Sequence, residues 1–269
     1  MSYFLAVTAR SIDATLFSAN GDVALRLITS EEQIAIEDRI FKDLGRNIEL
    51  PEGTSVLSVD EKLLKSTTPD EFKIAVEFAL AVLCESGAQG LWSVAHFGAT
   101  GCSSISRIDT SEFPIPVYPS SMTGQVICVW LELFLQVRQK FKDRMHVTAD
   151  RFVRYCKAGV SLDSLLDLCI CLESLIGADN EISFRFSVCL AKVEGGDSVI
   201  DVCEALKLLY DLRSSLVHGA DSAKPFRKLE PKLPLLHSAA RTIIAKYLLH
   251  LIDNSPEDWK KHLKSNLLS

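Results

Sequence analysis

From Met122 to the C-terminus, apolar residues recur at helical spacing and are interrupted mainly by capping residues and glycines. That pattern confines this half of the chain to a succession of helices, expected near 122–144, 148–158, 161–177, 181–194, 197–218, 234–253 and 256–266. Ser161 and Ser255–Pro256 are N-cap signals, and Gly177, Gly195 and Gly219 are stops. No period of 20–50 residues repeats, which argues against a solenoid of stacked repeats. The run Val126 to Val137 is apolar nearly all round but contains Glu132. It is far shorter than the ~20 residues of a membrane span, and it predicts a buried helix.

The first 120 residues read differently. Two β-rich runs flank Asn20–Gly21, a strong hairpin signal. Ser30 with Gln33 makes a capping box for a helix near 31–43, and Thr68, Pro69 and Glu71 do the same for one near 69–85. "GLWSVAHFG" (90–98) predicts a strand. "EFPIPVYPSS" (112–121), with Pro114, Pro116 and Pro119, predicts a connector. The expected fold class is therefore α+β overall: a small N-terminal α/β domain over 1–120, then an all-α helical domain over 121–269.

Composition narrows the function. At 48% hydrophobic and 24% charged residues the chain can bury a core. A net charge of −6 argues against a general nucleic-acid coat, so any polyanion must meet a local basic patch. The cysteines form no C-x-x-C pair and no histidine stands at ligand spacing, so they read as reduced, buried apolar residues. No metal and no cofactor are expected. The chain opens without a basic segment and cleavage site, which predicts a soluble, cytoplasmic protein with no membrane partner. "FGATGCSS" (97–104) lacks the lysine of a phosphate-binding loop, and no Gly-x-Ser-x-Gly elbow is present.

The chemistry-bearing residues gather in the helical half. On a wheel of about 100° per residue, Val202, Ala205, Leu206, Leu209, Leu212 and Leu216 share one face. Arg213 falls within it, while Ser214 and His218 share another flank. In "SLDSLLDLCICLESLIG" (161–177), Leu162, Leu165, Leu166, Cys169 and Ile176 make an apolar face that holds Glu173. Two opposite charges, each in the apolar stripe of its own helix, predict a pair across the interface. Arg185, in "EISFRFSVCLAKV" (181–193), borders a third apolar face. Such pairs also occur purely as structure, and a histidine before a C-capping glycine can serve the helix dipole alone. After them comes "KPFRKLEPK" (224–232), a basic interhelical loop in which Lys224, Arg227, Lys228 and Lys232 face one Glu230. Its simplest reading is a solvated loop; the alternative is a polyanion contact.

Arg213-Ser-Ser-Leu-Val-His218 resembles the R-x4–6-H signature of the HEPN superfamily, whose helical domains are mostly metal-independent endoribonucleases. The order "DLCICLESLIG", "ISFRFSVCLA", "LYDLRSSLVHG" resembles the Apea-like HEPN branch more specifically, within residues about 122–266. The resemblance implies a HEPN-type bundle in which Arg213 and His218 are catalytic and Ser214, Glu173 and Arg185 support them. It implies RNA (single-stranded or tRNA-like) as substrate, and the basic run beside the motif then offers Lys224, Arg227 and Lys228 as RNA contacts. It also implies a homodimer that brings two motifs together across a two-fold axis. A toxin or antiviral-defence effector follows, with 1–120 meeting an antitoxin or trigger protein. Ala220 stands where nucleotidylated HEPN toxins carry tyrosine, which argues against that route of silencing. The alternative is a non-enzymatic HEPN-like module for dimerisation or for nucleotide or protein binding.

Overall fold

The computed structural model describes residues 3–8, 17–19, 23–27, 29–45, 47, 49, 55–59, 68–79, 91–98, 101–109, 123–176, 182–196 and 198–268. It divides into two compact units, Met1–Gln139 and Lys140–Ser269. The expected α+β class with an α/β N-terminal domain is corrected. Helix far outweighs strand among the described residues, so what the structure describes is mostly helical. Two physical reasons account for the difference. Among the described residues the strands pair only antiparallel, without the parallel pairing that defines an α/β layer. The apolar helix beginning at Thr123, expected in the second domain, belongs almost wholly to the first unit.

In the first unit the strands are β1 (Tyr3–Thr8), β2 (Phe17–Ala19), β3 (Val23–Leu27), β4 (Ser55–Val59), β5 (Leu91–Gly98) and β6 (Gly101–Asp109). Their order is β2-β3-β4-β1-β5-β6. β2 and β3 pair as the expected hairpin, with Ala19 opposite Val23, although the Asn20–Gly21 turn lies outside the described residues. The connector at 112–121 also lies outside them.

Helix α1 (Ser30–Leu44) starts one residue earlier than the sequence pattern places it. Thr29 is its N-cap, and Glu32 closes the capping box in place of Ser30 and Gln33. A carboxylate at that third position accepts the N-cap N–H more strongly than an amide does, and it also meets the positive end of the helix. Helix α2 (Pro69–Phe78) begins as the pattern predicts, with Thr68 and Glu71 capping reciprocally, while residues 80–85 of the expected helix lie outside the described residues.

Helix α3 (Thr123–Lys140) finds its neighbours within the first unit. Leu131, Phe134 and Leu135 are buried, and the Phe134 ring lies 4.7 Å from that of Phe78 on α2. Arg138, on the last turn, reaches Glu71 at 2.7 Å, and both side chains are largely buried.

The second unit begins at a kink that the periodicity did not reveal. A helix was expected to run to residue 144, but it breaks at Phe141 (φ −137°, ψ 47°) and α4 (Lys142–Ala158) begins there. Helix α4 packs on α5 (Leu162–Ile176). Arg151 on α4 pairs with Asp167 on α5, and the Thr148 and Ser174 hydroxyls bond at 2.8 Å. Ser161 caps α5 as expected, its Oγ accepting from Ser164 N–H at 3.1 Å.

The third block splits. α6 (Ile182–Phe184) widens into a π-turn (Arg185–Cys189) and resumes as α7 (Leu190–Glu194), which ends at Gly195 in the left-handed region. Then come α8 (Val199–Val217), α9 (Ala223–Leu229), a 3-10 turn (Glu230–Lys232), α10 (Leu233–Asp253) and α11 (Pro256–Leu268). The run 224–232, expected as a loop, is thus a short helix and a 3-10 turn. Leu229 explains the difference, since it is fully buried and anchors the segment as one helical turn after another.

The core of this unit holds Leu168, Leu172, Phe186, Leu190, Leu206, Leu209, Ile243 and Tyr247. Cys156, Cys169, Cys171 and Cys189 are free and buried, as the sequence indicated, whereas Cys203, also free, is only half-buried. Burial pushes all four thiols up, so they act as apolar residues. His237 is buried near Phe152 and Tyr155. Burial, helped by the charge of Arg241, pulls its pKa down to about 3 and keeps the ring neutral.

The Arg138–Glu71 contact is the test of the first unit. Arg138→Ala removes the guanidinium that meets the largely buried Glu71 carboxylate at 2.7 Å, and the expected loss is about 3 kcal/mol of unfolding free energy by urea denaturation. A loss below about 1 kcal/mol, the range of a surface pair, would show the contact to be peripheral.

Candidate functional site

Helix α8 carries the site because of how it ends. Val202, Ala205, Leu206, Leu209 and Leu212 bury one face of it. His218 is its C-cap, with its N–H donating to Ser214 O at 3.1 Å. Gly219 follows at φ 67°, and the Ala220 N–H returns to Ser215 O at 2.8 Å. This closing turn needs a residue with positive φ just past the histidine, and glycine supplies it without strain. The same geometry lifts His218 off the buried face. Its side chain is exposed, and among the described residues no side chain holds the imidazole.

Arg213 does meet Glu173. Nε lies 3.4 Å from Glu173 Oε1, joining α8 to α5. The pair is looser and wetter than the wheel suggested. The side chains are 31% and 20% exposed, and Arg213 Nε, itself inaccessible to water, makes no hydrogen bond. The reason lies on α5. Its buried face includes Leu168, Cys171, Leu172 and Leu175 as well as Leu165, Cys169 and Ile176, so Glu173 sits at the margin of a wider apolar surface.

Partial burial raises the Glu173 pKa above 4.5, and the Arg213 charge only partly opposes this. The attraction across 3.4 Å therefore does not repay the lost hydration of the carboxylate. The pair is expected to add little to the stability of the fold.

The other candidate residues take different places. Arg185 opens the π-turn and is half-buried. Its charge reaches the Cys189 thiol, where it opposes the larger effect of burial. The π-turn packs on both α5 and α8, so the three sequence blocks do converge. Ser214 is half-buried beside Arg213. Lys224, Arg227 and Lys228 are exposed on α9, which packs against α8. Lys232 turns back instead, to Glu204 at 3.1 Å and Asp201 at 3.9 Å, and so leaves the basic patch.

Sequence reasoning missed Tyr210. Its ring lies 5.9 Å from Arg213 Cζ and 5.6 Å from the Phe186 ring. The spacing Tyr210–Arg213, three residues on one helix, was the available signal.

Among the described residues no helix is long and apolar enough to cross a membrane. Compared with known proteins, the chain matches no family model, no curated protein and no solved structure.

The raised Glu173 pKa has a definite sign. The folded state binds this proton more tightly than the unfolded chain, so stability falls as pH rises from about 4.5 through the raised value. Glu173→Gln is expected to remove that decline. It should change stability at pH 7 by no more than about 1 kcal/mol, as for a partly solvated pair. Thermal melts of both proteins across pH 4 to 8 check this. A loss of several kcal/mol at neutral pH would show the pair to be a structural anchor.

Proposed function

We propose that the protein is a metal-independent endoribonuclease of HEPN type, acting as a toxin or antiviral-defence effector. The observation that carries this reading is the pairing of Arg213 with Glu173 on the helix that ends at His218. The arginine is held at one nitrogen and stays partly solvated, and the histidine is exposed at the end of the same helix.

The chemistry suits these groups. An imidazole accepts a proton near neutral pH and can take one from the ribose 2′-hydroxyl. The 2′-oxygen attacks phosphorus, and the P–O5′ bond breaks as the leaving oxygen gains a proton. The products are a 2′,3′-cyclic phosphate and a 5′-hydroxyl. A guanidinium stays charged throughout and grips the phosphate oxygens as negative charge builds on them.

Residues five apart on a helix diverge by about 140°, so Arg213 and His218 of one chain do not converge on one phosphate unaided. A two-fold dimer would complete the site by placing two such helices side by side. Val217, 56% exposed next to His218, suits that contact. Ser214 and Arg185 would support the pair, and the first unit would meet a trigger or an antitoxin.

A second reading is a non-enzymatic HEPN-like module for dimerisation or for nucleotide or protein binding. It is favoured by the lack, among the described residues, of any side chain that orients His218.

Purified protein incubated with total RNA and EDTA separates the two. Wild type is expected to cut, while His218→Ala and Arg213→Ala each lose about 100-fold or more in rate with the helical signal intact. Cutting by both variants at the wild-type rate would move the nuclease site elsewhere.

The exposed cations of α9 are expected to hold RNA without taking part in the chemistry. In a His218→Ala background, neutralising Lys224, Arg227 and Lys228 together should lower the slope of log binding constant against log salt. The expected drop is about 2, at roughly 0.7 per lost contact to a single strand. Equal slopes would leave α9 as a solvated surface.

A further inference from the structure

Tyr210 has no part in the chemistry above, yet it stands between two elements of the site. On one side is Phe186, fully buried, with ring planes tilted by 49°. On the other is Arg213, with Cζ 5.9 Å from the ring centroid, inside the ~6 Å reach of a cation–π contact. Phe186 is the second residue of the π-turn. Phe186 lies inside the widened turn, so the local geometry of that turn sets the direction from which its ring meets α8. Ser187 Oγ donates to Ser183 O at 3.0 Å and adds a side-chain bond across the same turn.

Arg213 needs such a support. Its one ionic contact among the described residues is 3.4 Å long and involves Nε alone, without a hydrogen bond. A single loose contact leaves the guanidinium free to swing about its side-chain torsions, and a ring face against it removes much of that freedom. We infer that Tyr210 is a positioning residue that fixes the guanidinium of Arg213 for anion binding, with Phe186 of the π-turn fixing Tyr210 in turn. The inference rests on the proposed phosphate-binding role of Arg213. It adds that the ring face, and not the phenolic hydroxyl, does the positioning.

The test compares Tyr210→Phe, Tyr210→Leu and Tyr210→Met in the full chain, using those variants whose thermal unfolding stays cooperative. The first readout is the Arg213 Nε–Hε resonance, assigned with Arg213→Lys. Wild type and Tyr210→Phe are expected to share a ring-shifted Hε that exchanges slowly with solvent. The aliphatic variants should lose the shift and exchange about 5–10-fold faster, the size of one partly solvated cation–π contact. The second readout is RNA cleavage, in which the aliphatic variants should lower kcat by a similar factor, leave KM nearly unchanged, and be matched to wild type by Tyr210→Phe. An unchanged Hε in the aliphatic variants, or its loss in Tyr210→Phe, overturns the inference. Absence of cleavage by wild type would remove the nuclease reading, and the resonance would still decide whether Tyr210 holds Arg213.

Discussion

Arg213 follows Leu209 and Leu212 on α8, both buried, and its charge cannot be discharged by losing a proton at any relevant pH. The surrounding elements have to accommodate it. α5 supplies Glu173 at the edge of its apolar face, and the π-turn supplies Phe186 behind Tyr210, whose ring faces the guanidinium. The arginine is therefore neither sealed in the core nor loose in solvent. A fully sealed pair would have cost several kcal/mol in desolvation and would have left no nitrogen for a ligand.

The end of α8 sets the second condition. The closing turn at His218, Gly219 and Ala220 satisfies the last carbonyls of the helix. It also places the histidine where the buried face has ended. Arginine and histidine thus belong to one rigid element but to different surroundings, one against α5 and the π-turn, the other in water. A second copy of the same helix is the simplest way to bring both kinds of group to one phosphate, and this is why the proposed activity includes a dimer.

Local signals survived where the determining contact is itself local. Thr68 with Glu71, Ser161 with Ser164, and Ser255 with Asp258 cap helices within a few residues of themselves. One local reading slipped by a residue, the cap of α1 falling on Thr29 and Glu32 instead of Ser30 and Gln33, but the larger failures depended on distant partners. The basic run 224–232 carries the composition of a loop, but burial of Leu229 and the Lys232–Glu204 contact fold it into helical turns. The α/β domain failed for the same reason: strand-like stretches do not say whether their neighbours run parallel or antiparallel.

The sequence by itself determined the helical character of the second half, the caps at Thr68, Ser161 and Ser255, the stops at Gly195 and Gly219, the burial of Cys156, Cys169, Cys171 and Cys189, and the meeting of Arg213 with Glu173. Each follows from spacing along one helix or from the high cost of an unpaired charge on an apolar stripe. Only the tertiary structure decided how tightly that pair closes, that Tyr210 and Phe186 stand behind it, and that a π-turn directs them. Those outcomes depend on the offset between neighbouring helices, a matter of ångströms. The hydrophobic period is the same for every such offset, so a sequence cannot carry the distinction.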